Sequence, residues 1–112
     1  MRFNGDTGSN YSTTRILGSG SAASSARESN VTRCVAGFIE NGQTTSIAQI
    51  MNYSNTTTNK TSLARLNSPA SFVGAYVNLW RNTAAITSIE IYGDSGGAFN
   101  NGSATLYGIA SA

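Results

Sequence analysis

Apolar and polar positions alternate along this chain in short runs, and clusters of Gly, Asn and Ser separate the runs. That period of two belongs to strands, and the punctuation to turns. It predicts strands near residues 2–4, 11–17, 31–40, 45–53, 61–66, 72–81, 87–92 and 105–110. The dipeptide Asn41-Gly42, flanked by two such runs, is the strongest hairpin signal, because both residues tolerate positive φ. One stretch, 21–29, carries Ala22, Ala23, Ala26, Arg27 and Glu28 and could form a turn or two of helix. It lacks large apolar residues and reads as a surface loop. Strand spacings of about 8–14 residues suggest an all-β fold, an antiparallel β-sandwich of jelly-roll-like type with about seven or eight short strands. The segment Leu106-Tyr107-Gly108-Ile109-Ala110 reads as a closing core strand.

The most regular run is 72–81. Val73, Ala75, Val77 and Leu79 share one face; Phe72, Tyr76 and Trp80 share the other, with Gly74 and Asn78 between them. The aliphatic face is the natural core side. The aromatic face then needs a cover: a second sheet, a neighbouring subunit, or a flat ligand such as a sugar ring. Phe72, Tyr76 and Trp80 are therefore the candidate self-association residues.

At 112 residues the chain is the size of one domain, expected to span 1–112. Charged residues make up only 11%, against a usual ~25%. Such a surface is covered by Asn, Ser, Thr and Gly, and suits a protein packed against neighbours. The net charge is +2, and the seven basic residues form no run, which argues against a nucleic-acid partner. No apolar run approaches the ~20 residues of a membrane span, and the first residues do not read as a secretory leader. Cys34, the single cysteine, lies in an apolar stretch and reads as a small buried hydrophobe.

Two strings resemble protease signatures. Gly93-Asp94-Ser95-Gly96-Gly97 looks like the nucleophile loop of trypsin-like enzymes, and Asp6-Thr7-Gly8-Ser9 like an aspartic-protease loop. The chain has no histidine, so no imidazole can take the proton from Ser95, and imidazole metal ligands are excluded as well. Asn4-Gly5 and Gly93 stand where an apolar strand would precede each catalytic Asp, so both strings read better as turns in which Asp caps backbone N–H groups. Glu28, Glu40 and Glu90 have no evident partner for acid–base work, apart from an Arg27–Glu28 ion pair; Glu90, between Ile89 and Ile91, falls on a solvent face. The oxygens of residues 4–10 include one carboxylate, fewer than a tight calcium site uses. No cofactor and no metal is expected. The loop 52–61 is dense in amides and hydroxyls; Asn52, Tyr53, Asn55 and Asn59 are candidate glycan-binding residues, with Tyr53 placed to stack on a ring. An ordinary turn with Asx hydrogen bonds explains the same composition.

Three segments taken together carry a resemblance. They are Arg2-Phe-Asn-Gly-Asp-Thr-Gly-Ser-Asn-Tyr-Ser12, Ile50-Met-Asn-Tyr-Ser-Asn-Thr-Thr-Thr-Asn-Lys-Thr61 and Trp80-Arg-Asn-Thr-Ala-Ala-Ile-Thr-Ser-Ile89, with a closing Leu106-Tyr-Gly-Ile109. The set resembles small virion structural proteins of tailed bacteriophages, of the tail-fibre or capsid-decoration type found in marine phages. The resemblance implies a component of the phage particle. With low-charge sheet faces and open edges, the chain is expected to be non-enzymatic and to assemble with itself, as a trimer, and with other virion proteins. Members of that group usually carry further strands ahead of the Arg-Phe-Asn-Gly-Asp segment, so N-terminal strands are expected to be missing from 1–112. The alternative is a carbohydrate-binding module or host-receptor-binding domain directed at a surface glycan.

Overall fold

A computed structural model describes residues 1–38, 43–94, 96 and 101–109. Its described elements are all strands: β1 (Arg2–Phe3), β2 (Tyr11–Gly18), β3 (Ala23–Val31), β4 (Thr45–Met51), β5 (Lys60–Ser68), β6 (Phe72–Trp80) and β7 (Ile89–Glu90). The all-β, antiparallel expectation holds. Five strands form one sheet in the order β3-β2-β6-β5-β4, and β1 pairs with β7 in a second, two-stranded sheet. Local chemistry explains the joints. Asn4 and Gly5 both take positive φ, and the Asp6 N–H returns to the Phe3 carbonyl at 3.0 Å, which turns the chain sharply out of β1. Asn52 and Asn30 likewise adopt positive φ where β4 and β3 end.

Three expectations are corrected. Residues 23–31 form an edge strand, not a helical turn; an edge strand with both faces in water has no need of large side chains. Residues 32–38, expected as strand, are irregular. Residues 105–109 form no strand, and Leu106, Tyr107 and Ile109 are exposed. The Asn41-Gly42 turn lies outside the described residues.

Among the described residues, only one face of the large sheet is covered. Its inner face carries Tyr11, Thr13 and Leu17 from β2, Phe72, Tyr76, Asn78 and Trp80 from β6, and Lys60, Ser62, Ala64 and Leu66 from β5. Two apolar clusters form there. One joins Met1, Phe3, Tyr11, Cys34, Trp80 and Ile86; the other joins Ala64, Leu66 and Tyr76, flanked by Leu17, Val35, Phe38 and Phe72. Between them runs a buried polar row, Thr13, Asn78 and Ser62, in register across three strands.

The cover is mostly a strap. β3 and β4 lie at opposite edges, about 19 Å apart at four spacings of ~4.8 Å. The link between them passes over the inner face. Cys34 sits at the Trp80 end of β6, and Phe38 meets Phe72 and Tyr76 edge-on or tilted, with ring centroids 5.1 and 5.9 Å away. Gly37 lies so close to Ser46 that a Cβ there would collide with its hydroxyl. Asn78 fastens the strap: its Oδ1 accepts the Val35 N–H and its Nδ2 donates to the Val35 carbonyl, both at 3.0 Å, and Nδ2 also donates to the Ser62 hydroxyl at 3.1 Å. This side chain supplies both bonds that a neighbouring strand would have supplied.

Removing Asn78 leaves the Val35 N–H and C=O unpaired in the interior, at about 1–3 kcal/mol each. We expect Asn78→Leu to destabilise the chain by roughly 2–5 kcal/mol. Urea unfolding followed by Trp80 fluorescence measures it; a loss below about 0.5 kcal/mol, the range of an ordinary surface change, would show that the strap is held otherwise.

Candidate functional site

The aromatic stripe proposed for self-association turns inward. Tyr76 and Trp80 are each 1% exposed and Phe72 is half-buried against Phe38. Trp80 stacks with Tyr11 at 6.2 Å and tilts against Phe3 at 5.5 Å. Its indole N–H donates to the Asp6 carboxylate at 2.7 Å. A second copy has no surface of Tyr76 or Trp80 to touch in this conformation. The face assignment is therefore reversed from the sequence expectation. Packing favours burying the larger rings, which remove more apolar surface from water than Val or Ala.

The two protease-like strings do other work. Asp6 accepts from the Trp80 indole, from the Gly8 N–H at 2.8 Å and from the Asn10 amide, so its carboxylate is the hub of an Asx turn. The Trp80 bond, helped by those of Asn10 and Gly8, holds its pKa below the usual carboxylate value despite some desolvation. Asp94 faces Arg33 at 2.8 Å. Ser95 and Glu40 lie outside the described residues. Glu90 is exposed and near Arg2 at 3.8 Å, while Arg27 and Glu28 point to opposite faces of β3. Cys34 is buried, and burial pushes its thiol up to about 12.

The glycan candidates cluster at the β4–β5 hairpin. Asn52, Tyr53 and Asn59 are exposed there. Asn55 is committed to the turn: its Oδ1 accepts the N–H groups of Thr57 and Thr58 at 2.8 and 2.9 Å and both their hydroxyls. The Tyr53 carbonyl accepts the Ile86 N–H at 2.7 Å, which ties the hairpin to the segment before β7. Nearby, Lys60 is fully buried, and its ammonium donates to the Thr58 and Thr83 carbonyls at 2.7 and 2.9 Å.

The largest unassigned feature is the outer face of the five-stranded sheet. The register aligns Ser25, Ile16, Ala75, Arg65 and Ile47 in one row, and Arg27, Thr14, Val77, Leu63 and Gln49 in the next. Beside them lie Val73 on one flank and Leu79 and Met51 on the other. Val73, Ile16, Ile47 and Val77 are 63, 59, 57 and 53% exposed. Among the described residues of the five strands the charges on this face are Arg27 and Arg65, and the Arg81 guanidinium reaches Ser12 at its rim. Five strands at ~4.8 Å and seven residues at ~3.3 Å span about 550 Å² in plan. That face is mixed, with Ser25, Thr14, Gln49 and the two arginines among its aliphatics; the largest exposed apolar patch on a monomer is often functional. The sequence signal was the two-sided apolar pattern of β6, with the wrong side taken as core. Among the described residues no helix is long and apolar enough to cross a membrane.

Comparison with known proteins leaves this geometry to speak alone: no protein family matches the sequence, and neither a curated protein nor a solved structure matches the chain.

Because the Asp6 pKa is depressed in the folded state, its contribution is present above the unfolded value near 3.8 and is lost as pH falls through the folded value. We expect the acid unfolding of the native chain to steepen below about pH 3.8, and Asp6→Asn, which keeps an acceptor for the indole, to flatten that limb. Thermal melts between pH 2 and 5 test this; identical limbs would remove Asp6 as the cause. Cys34 should resist a thiol reagent at pH 8 in the folded chain and react fully in denaturant, since its thiolate is scarce and shielded. Native labelling as fast as in denaturant would contradict its burial.

Proposed function

We propose that this chain is a non-catalytic structural protein that works by packing against copies of itself, as a capsid-decoration or tail-fibre component of a phage particle. The observation that carries the assembly reading is the open apolar face of the sheet, centred on Ile16, Val77 and Leu63. A sandwich hides such a face beneath a second sheet about 10 Å away. A copy of the same sheet offers the same chemistry and a comparable area, and burying each large aliphatic there is worth about 1.5–3 kcal/mol. The low charge of the chain supports this, because little has to be desolvated. The phage assignment rests on the resemblance of residues 2–12, 50–61 and 80–89. The non-catalytic reading rests on the missing histidine and on the private partners of Asp6 and Asp94.

A second reading, binding of a host-surface glycan, keeps one observation in its favour: Tyr53 is 47% exposed at a hairpin tip beside exposed Asn52 and Asn59. A glycan array without signal would remove it.

Light scattering behind a sizing column tests the assembly. We expect a mass that is a multiple of 11.6 kDa, a trimer by the virion reading. Val77→Lys, at an exposed position, should return the mass to the monomer while changing stability by no more than about 0.5 kcal/mol. A monomer at every concentration would dismiss the reading, and an oligomer indifferent to Val77→Lys would move the interface off this face.

A further inference from the structure

The two edges of the large sheet are not alike. β3 is guarded: it carries Arg27 and Glu28, six of its nine residues are Ser, Asn or Ala, and its register with β2 is broken by an irregularity at Tyr11/Ser12. Charges and bulges at an edge are what discourages a further strand from adding. β4 is unguarded. Thr45-Ser46-Ile47-Ala48-Gln49-Ile50-Met51 holds no charge, no Pro and no Gly, and its register with β5 runs unbroken over seven pairs. Among the described residues only β5 pairs with it, so its other side presents N–H and C=O groups that no described strand pairs.

A matching strand exists on the same chain, unused. Residues 103–109, Ser-Ala-Thr-Leu-Tyr-Gly-Ile, also lack charge and Pro. Leu106, Tyr107 and Ile109 are 79, 82 and 84% exposed, and no hydrogen bond joins this segment to another described residue. Leaving three large side chains in water on a segment with free backbone groups is the condition that strand addition relieves.

We infer that residues 103–109 of one copy add as a strand to the free edge of β4 in a second copy. The side chains fit in alternation. Thr105, Tyr107 and Ile109 fall on one face and would extend the apolar outer row that ends in Ile47 and Met51. Leu106 falls on the other face, shared by Ser46, Ala48 and Ile50 of β4, where Ser46 already meets Gly37 of the strap and Ala48 is exposed. Neither strand is charged, so the pairing brings no like charges together despite the net charge of +2. Each chain holds one donor and one acceptor, and the contact is heterologous, closing into a ring or extending as a fibre. The inference rests on the self-assembly reading and adds an edge contact beside that of the open sheet face.

The test uses the full chain. Hydrogen exchange is measured on dilute and concentrated samples, beside light scattering, for the native chain and for Leu106→Asp combined with Tyr107→Pro. The new charge and the lost N–H block pairing, and both positions are exposed, so the fold stays intact. With concentration, the native chain should gain at least about tenfold protection over 45–51 and over 103–109, and none over 23–31; the double variant should gain none and fall in mass. A double variant that keeps the native mass, or a native oligomer that leaves 45–51 unprotected, overturns the strand addition while self-assembly stands. A monomer with 45–51 and 103–109 already protected means addition within one chain and overturns it too. A monomer with neither protected overturns both readings.

Discussion

The fold turns on one buried amide. A single sheet of five strands cannot bury a core alone; something must lie across one face, and here that is an irregular strap with no strand beside it. Irregular backbone in the interior is stable only if its polar groups find partners. Asn78, on the central strand, supplies an acceptor and a donor to the two polar groups of Val35. Cys34, Val35 and Phe38 can then press their side chains into the two apolar clusters on either side. An aspartate there would offer no donor, and a leucine neither function.

The Trp80 end of the core is tied down in the same manner. The Asp6 turn holds the indole, and the Asn4 side chain accepts from Thr87 and Ser88 and donates to the Ala85 carbonyl, which sets the segment entering β7. Arg81 spans Ser9, Ser12 and Asn30, joining the loop before β2 to the end of β3. A chain poor in charge thus uses amides and single ions as rivets, and most of its Asn and Ser near the core act inward as structure.

Much of this was legible in the sequence, and the parts that were not have identifiable causes. The strands β2, β4, β5 and β6 follow the alternation of large and small residues to within a residue or two. β3 was hidden because it stands at an edge and buries almost nothing. The apolar run after Val31 looked like a strand and is the strap, since hydrophobicity reports burial and not the partner of the backbone. In β6 both faces are apolar, so period alone could not choose between them. Gly74 and Asn78 stood between the rings of the aromatic face with no role assigned. In the fold Gly74 makes room for Leu17, and Asn78 binds the strap. The open aliphatic face was therefore taken for core, and the interaction surface was sought among residues that are interior.

The inner face of β6 repeats every four residues, aromatic at 72, 76 and 80, with glycine and asparagine in the gaps. A slide of two residues against β5 or β2 would keep the faces and most hydrogen bonds, the error that sheets find hardest to reject. Here it would push a ring onto the place where only a glycine fits and drop the amide among apolar neighbours, with Ser62 and Thr13 stranded opposite a ring. The polar row that divides the core thus works as a key cut for one alignment, and mispaired sheets meet it as a lock.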